Sequence, residues 1–132
     1  MHYKIEVTAP EPVYRQLERQ IKERIAKGLS PPHTQLPVVR EMAMRLVINP
    51  NTVQRVYNDL VREGVLYTRR GVGVFVADIA PTASPEELNR RAVVAVDAMI
   101  TECVHLNMNR EQIRNLVDER LNHFNQGGVE DE

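Results

Sequence analysis

The amino-acid sequence predicts a mainly helical α+β protein: three short helices and a β-hairpin, followed by two longer helices. Three observations predict it. Apolar residues recur at helical spacing in three stretches before residue 63, and two β-prone runs flank a basic, glycine-bearing pentapeptide at 69–73. Two further helical stripes, each with its own start signal, fill the region after residue 84. At 132 residues, 42% hydrophobic and 27% charged, the chain can build one small core and an appendage but not a large catalytic domain.

Taken in order, a short alternating stretch (Tyr3, Ile5, Val7) leads to Pro10 and Pro12. Val13, Leu17, Ile21 and Ile25 then mark a first helix that ends at Gly28. Residues 29–35 contain Pro31 and Pro32 and read as a connecting turn. Val39, Met42, Ala43 and Leu46 mark a short second helix, with Pro37 suited to its first turn. Asn49 can cap a third helix, Pro50 suits its first position, and Val53, Val56, Tyr57 and Leu60 form its apolar face as far as about residue 63. Gly64 supplies the stop. Only a few residues separate the second and third helices, which is helix-turn-helix spacing. Strands at 65–68 and 74–77, joined by Arg69-Arg70-Gly71-Val72-Gly73, complete a winged helix-turn-helix over residues 1–78.

A linker at 79–84 containing Pro81 precedes Ser84-Pro85-Glu86-Glu87, a capping box with proline at the first helical position. The fourth helix carries Leu88, Ala92, Ala95, Val96, Met99, Ile100, Cys103 and Leu106, a wider apolar surface than a solvated helix bears. Asn109 and Gln112 resemble a second cap, and Ile113, Leu116, Val117, Leu121 and Phe124 stripe a fifth helix that Gly127-Gly128 should stop. Two helices alone make a poor core. Residues 85–126 are therefore expected to pair with the same region of a second chain, through Leu88, Val96, Met99, Ile100, Cys103, Ile113, Leu116, Val117, Leu121 and Phe124. The competing expectation folds both helices onto the winged helix of their own chain. Residues 127–132 read as a flexible acidic tail.

Charge is divided unevenly. Residues 1–78 hold 12 Lys and Arg against 8 Asp and Glu, a net +4, whereas the remainder holds 5 against 10, a net −5. A basic first half suits a polyanion and an acidic second half suits protein contacts. No apolar run approaches the ~20 residues needed to cross a bilayer, and the first ten residues lack a signal-peptide pattern, so a cytoplasmic location and no membrane partner are expected. The single Cys103 excludes an internal disulfide framework and reads as a buried structural thiol.

A helix that enters the major groove reads base edges with its first turns while neighbouring basic groups hold phosphates. The outward positions near the start of the third helix are Asn51, Thr52, Gln54 and Arg55: Asn and Gln can pair bidentately with adenine, Arg with guanine or phosphate. Arg40, at the start of the second helix, can reach the DNA backbone or a groove edge. Arg69 and Arg70 can enter or flank a minor groove from the hairpin tip, where Gly71 permits close backbone approach. The expected partner is double-stranded operator DNA.

From Pro12 to Val76 the sequence closely resembles the GntR family of bacterial regulators. The matching phrases are Pro12–Leu17 (PVYRQL), Leu36–Ala43 (LPVVREMA), Asn51–Tyr57 (NTVQRVY), Leu60–Gly64 (LVREG) and Gly71–Val76 (GVGVFV). The resemblance implies operator recognition by Arg40, the start of the third helix and the wing, with Tyr14 touching phosphate. A C-terminal part of about 50 residues forming two helices resembles the YtrA subfamily, which implies a dimeric repressor, often of transport genes, without a recognised metabolite pocket. The chain departs from the family at Pro32-His33, where relatives carry Gly-Asp, and at Val38, where they carry Ser. These departures put the turn and the cap of the second helix in question. Pro50 stands where some relatives carry a base-reading Arg, so their operator sequences do not transfer.

Other function classes fit less well. His2, His33, His105 and His123 are scattered, and Cys103 and His105 are two apart on a helix, which does not bring them together for catalysis. Gly71-Val72-Gly73 lacks the Lys-Ser/Thr of a phosphate loop and leads into a strand. No metal-ligand spacing is present, so neither metal nor cofactor is expected, and no convergent polar set identifies a small-molecule effector. A winged helix used for protein assembly is the main alternative; it would more often present an apolar patch where this chain places polar residues.

Overall fold

A computed structural model describes residues 3–78 and 83–130, with side chains described as far as Phe124. Residues 79–82 of the expected linker and 131–132 of the expected tail lie outside the described residues. The chain divides into two compact units, Met1–Ile79 forming the bulk of one and Ala80–Gln126 the other.

The first unit contains α1 (Val13–Ala26), α2 (Val39–Leu46), α3 (Pro50–Arg62) and an antiparallel pair, β1 (Leu66–Arg69) and β2 (Gly73–Val76). The N-terminus of α3 is set by Asn49, whose side chain accepts from the Asn51 amide at 2.8 Å, and by Pro50, which needs no donor there. Its end is set by Gly64, whose φ of 81° takes the left-handed conformation that closes helices. Between these ends Val53, Val56, Tyr57 and Leu60 are buried with Leu17 and Ile21 of α1 and Met42 and Ala43 of α2. Each large side chain so buried contributes about 1.5–3 kcal/mol, more than one cap, so the apolar face of α3 decides the packing. Tyr57 donates its hydroxyl to the Pro37 carbonyl at 2.6 Å, and burial pushes its phenol well above the usual range.

The two departures from the family pattern have visible consequences. Val38 stands at the N-cap of α2 and supplies no side-chain bond. Because Val38 is extended, Pro37 lies before the cap and not in the first helical turn where the sequence placed it. His33 takes a left-handed conformation, φ 71°, that lets the chain turn after Pro31 and Pro32.

The segment after His33 is more than the connecting turn that its prolines suggest. Gln35 bridges Phe75; Leu36 N–H donates to the Val74 carbonyl and Val76 N–H to the Thr34 carbonyl, each at 2.9 Å. It therefore covers the outer edge of β2, which would otherwise be an open strand edge. Pairing runs from Leu66 opposite Val76 to Arg69 opposite Gly73. The strands are displaced by one residue from the sequence expectation, and Arg69 ends β1 instead of lying in the turn.

The N-terminal stretch docks through glutamines. Buried Gln16 accepts from the Glu6 amide at 2.8 Å and donates to the carbonyls of Glu6 and Glu11, at 2.9 and 2.8 Å. Gln20 accepts from the Lys4 amide and donates to its carbonyl, which holds Tyr3 and Ile5 against the core.

The second unit contains α4 (Pro85–His105) and α5 (Arg110–Glu130). Ser84 accepts from the Glu87 amide at 3.2 Å, one half of the expected capping box, while the Glu87 carboxylate engages Arg90 and Arg91. Between the helices, Asn107 at φ 63° makes a two-bond C-terminal cap, Asn107 N–H to Val104 and Met108 N–H to Cys103. A full capping box follows, with Asn109 N–H donating to Gln112 at 2.8 Å and Gln112 N–H to Asn109 at 2.9 Å. Helix α5 runs through Gly127-Gly128, correcting the expected stop. Glycine in a helix costs about 1 kcal/mol but ends it only when it adopts a left-handed cap.

Candidate nucleic-acid interface

Helix α3 packs by one face, so its opposite face is exposed along its length. Asn51, Gln54, Arg55, Asn58 and Arg62 are exposed at spacings of three and four residues, and Thr52 is half-buried beside them. The sequence reading identified the first half of this stripe and missed Asn58, whose signal was its place one turn beyond Gln54. The Gln54 amide donates to Asn58 at 2.9 Å, so two groups able to read adenine are already aligned. Arg62 pairs with Asp59 at 3.1 Å, and Arg55 lies 3.9 Å from the same carboxylate.

Arg55 has a second neighbour from another element. Its guanidinium carbon lies 3.9 Å from the centre of the Tyr14 ring, within cation–π range. Arg15 approaches the same ring at 5.9 Å. Arg15 and, less strongly, Arg55 hold the Tyr14 phenol below its ordinary range, by hydrogen bonding and by charge. Tyr14 and Arg55, named separately from the sequence, are thus brought together at the junction of α1 and α3.

Arg40 is exposed at the second position of α2 and makes no ion pair among the described residues, unlike Arg45, which engages Glu41. At the wing, Arg69 lies over Phe75 at 5.6 Å, while Arg70 and Gly71 are exposed at the tip. Gly71 has a φ of 77°, and a Cβ there would meet nothing within 4 Å. Gly73 differs: its φ is 149°, and a Cβ would lie 2.7 Å from Gln35 Nε2. That nitrogen donates to the Val72 carbonyl at 3.1 Å, so Gln35 braces the wing tip from below, a support the sequence did not reveal.

In the second unit no residue of α4 is buried. Met99 and Cys103 of α4 and Ile113, Leu116, Val117, Leu121 and Phe124 of α5 line an open apolar groove of about 400 Å³. Ile100 joins Ile113 in an adjoining groove; Leu88 and Val96 lie on neither. Cys103 is half-buried, short of the buried thiol expected. Among the described residues no helix is long and apolar enough to span a membrane, and no cluster of His, Cys, Asp and Glu could hold a metal ion.

Comparison with known proteins places this arrangement. Residues 13–76 match the family of bacterial regulatory proteins described as gntR. The chain is 40% identical over 82 residues to the HTH-type transcriptional repressor YtrA of Bacillus subtilis, a match covering 62% of this chain and 63% of YtrA, just under two thirds of that relative's length. It is 32% identical over 120 residues to the HTH-type transcriptional regulator YhcF of the same organism, covering 89% of this chain and 93% of YhcF. Among solved structures it is similar to a transcriptional antiterminator from Listeria monocytogenes, with a TM-score of 0.78, 31% identity, and coverage of 94% of this chain and 92% of that one. The DNA-binding domain of AraR bound to operator ORX1 matches 58% of this chain and 99% of its own, with a TM-score of 0.53 and 28% identity.

Proposed function

The chain belongs to the GntR family of bacterial regulatory proteins, and on that premise we propose that it is a homodimeric repressor that binds an inverted-repeat operator. The observation that carries this reading is the exposed polar stripe on α3, presented by a helix whose other face is fully sealed into the core. Asn51, Thr52 and Gln54 read base edges in the major groove, and Arg40 fixes register on the backbone. Arg69, Arg70 and Gly71 approach the adjacent minor groove. Similarity to a domain crystallised on operator DNA and to the YtrA repressor supports the DNA partner and the sign of regulation.

The second unit supplies the dimer. Val93, Val94, Val96, Met99, Ile100, Val104, Leu106, Leu116 and Leu121 are all exposed, more apolar surface than two solvated helices carry. A second copy of α4 and α5 covers these residues, with Cys103, Ile113, Val117 and Phe124 in the groove. Two-fold symmetry then sets two recognition helices on successive major grooves, excluding polymerase from a promoter, a transport operon being the first candidate. The protein works in the cytoplasm, where its DNA is.

Selection of genomic fragments by the purified protein tests this, followed by affinity measurements on the recovered sequence and its scrambled version across a salt series. A shared inverted repeat, bound specifically and weakened by Arg40→Ala and Gln54→Ala, is expected. Salt-insensitive binding with no enriched sequence, from a folded dimer, overturns it.

A further inference from the structure

We propose that Arg55 is a phosphate clamp on the DNA backbone and not a base reader, and that Tyr14 is the positioning residue that holds it. The proposal rests on the DNA-binding reading above and deepens it. Base edges are read by the first turns of a recognition helix, where Asn51 and Gln54 stand. Arg55 leans the other way. Its Nε lies 3.9 Å from Asp59, one turn toward the C-terminus, and its guanidinium carbon lies 3.9 Å from the centre of a ring that belongs to α1.

A ring at that distance holds the guanidinium in place without neutralising its charge, so the group can still pair with phosphate oxygens. The same ring has Arg15 at 5.9 Å, so two cations share one ring at the edge of the α3 stripe. A pair of charges at that position attracts a phosphodiester whatever base it carries. Arg15 first, and Arg55 after it, lower the Tyr14 phenol by hydrogen bonding and by charge, so its hydroxyl is engaged by the same two cations. The 3.9 Å approach of Arg55 to the ring assigns Tyr14 to act on DNA through Arg55.

The test uses the full chain on two probes: a mixed-sequence duplex of about 30 base pairs, and the sequence the protein selects from a random pool with each position then varied singly. Arg55→Ala is expected to weaken both about equally and to lower the slope of log affinity against log salt by about 1.8, about 0.9 for the one phosphate lost in each half of the dimer. Tyr14→Leu should reproduce that loss, Tyr14→Phe should stay within about threefold of the parent because the ring remains, and the double variant Tyr14→Leu/Arg55→Ala should be no worse than Arg55→Ala alone. Gln54→Ala is the contrast: it should relax discrimination at one base pair and leave the slope unchanged.

If Arg55→Ala relaxes discrimination at one position with the slope intact, Arg55 reads a base and the clamp is wrong. If Tyr14→Phe loses as much as Tyr14→Leu, or the two losses add, Tyr14 does not position Arg55. Should Tyr14→Leu fail to fold by circular dichroism, Tyr14→Phe compared with Arg55→Ala still decides the clamp and the hydroxyl. A parent protein that binds neither duplex brings down the DNA reading itself, an outcome separate from any variant's behaviour.

Discussion

The two units of this chain solve the same problem in opposite ways. Between Met1 and Ile79 the apolar stripes of α1, α2 and α3 face one another, and Leu17, Met42, Val53, Val56 and Leu60 are completely sealed. In Ala80–Gln126 not one residue of α4 is buried, although its sequence is as apolar as a core helix. The difference is one of element number. Three helices and a sheet can enclose a centre, whereas two helices have only a seam and leave their outer apolar surfaces in water. The first unit covers its apolar faces by its own contacts; the second leaves apolar side chains of α4 and α5 exposed.

The sharpest way to separate them is to damage each. Leu60→Ala removes a fully buried side chain from the first unit and should cost about 2–5 kcal/mol, read by urea denaturation. Leu121→Glu places a charge in the apolar groove of the second unit. It should leave the first unit folded, convert a dimer to monomers in sedimentation velocity, and reduce operator affinity at least about 100-fold through lost bivalency. A Leu121→Glu protein that remains dimeric would break the comparison, since the exposed stripe would then have another purpose.

Most of the first unit was legible because its signals are local. Asn49-Pro50 starts α3, Gly64 ends it, and the spacing of Val53, Val56, Tyr57 and Leu60 fixes the buried face; all of these are properties of adjacent residues. What escaped depends on residues far apart in the chain. The edge pairing of Gln35 with Phe75 joins a proline-marked segment to a strand 40 residues on, and nothing in its composition announces a strand. The glutamine bonds from Gln16 and Gln20 to the N-terminal stretch are equally non-local. For the candidate interface, residue choice was legible from helical phase, but the approach of Arg55 to the Tyr14 ring required knowing how α1 crosses α3. In the second unit the caps at Ser84 and Asn109 were readable, while the length of α5 was not, because a glycine pair specifies a stop only in one backbone conformation.

The wing tests the first unit's self-sufficiency at its edge. Gly73→Ala meets both a strained φ of 149° and Gln35 Nε2 at 2.7 Å, and should destabilise by roughly 2 kcal/mol while weakening DNA binding as the tip shifts. Gly71→Ala has the same kind of strain but open space, so about 1 kcal/mol is expected. Thermal melts of the two variants check this ordering. Equal losses would mean that Gln35 yields freely and does not brace the wing.

The smallest effect should be a gain. Val47 closes α2 with φ 55° and ψ 52°, the left-handed region, and the residue is 84% exposed, so little packing offsets the strain. A β-branched residue there carries about 1–2 kcal/mol of conformational cost, which glycine removes at an entropic expense of roughly 0.5–1 kcal/mol. Val47→Gly should therefore raise stability by up to about 1 kcal/mol, seen as a melting shift of a few degrees that does not vary with protein concentration. Concentration independence is the informative part: relief of strain in a self-contained unit acts on the monomer, whereas any gain that grew with concentration would tie this turn to the interface between chains and erase the division between the two units.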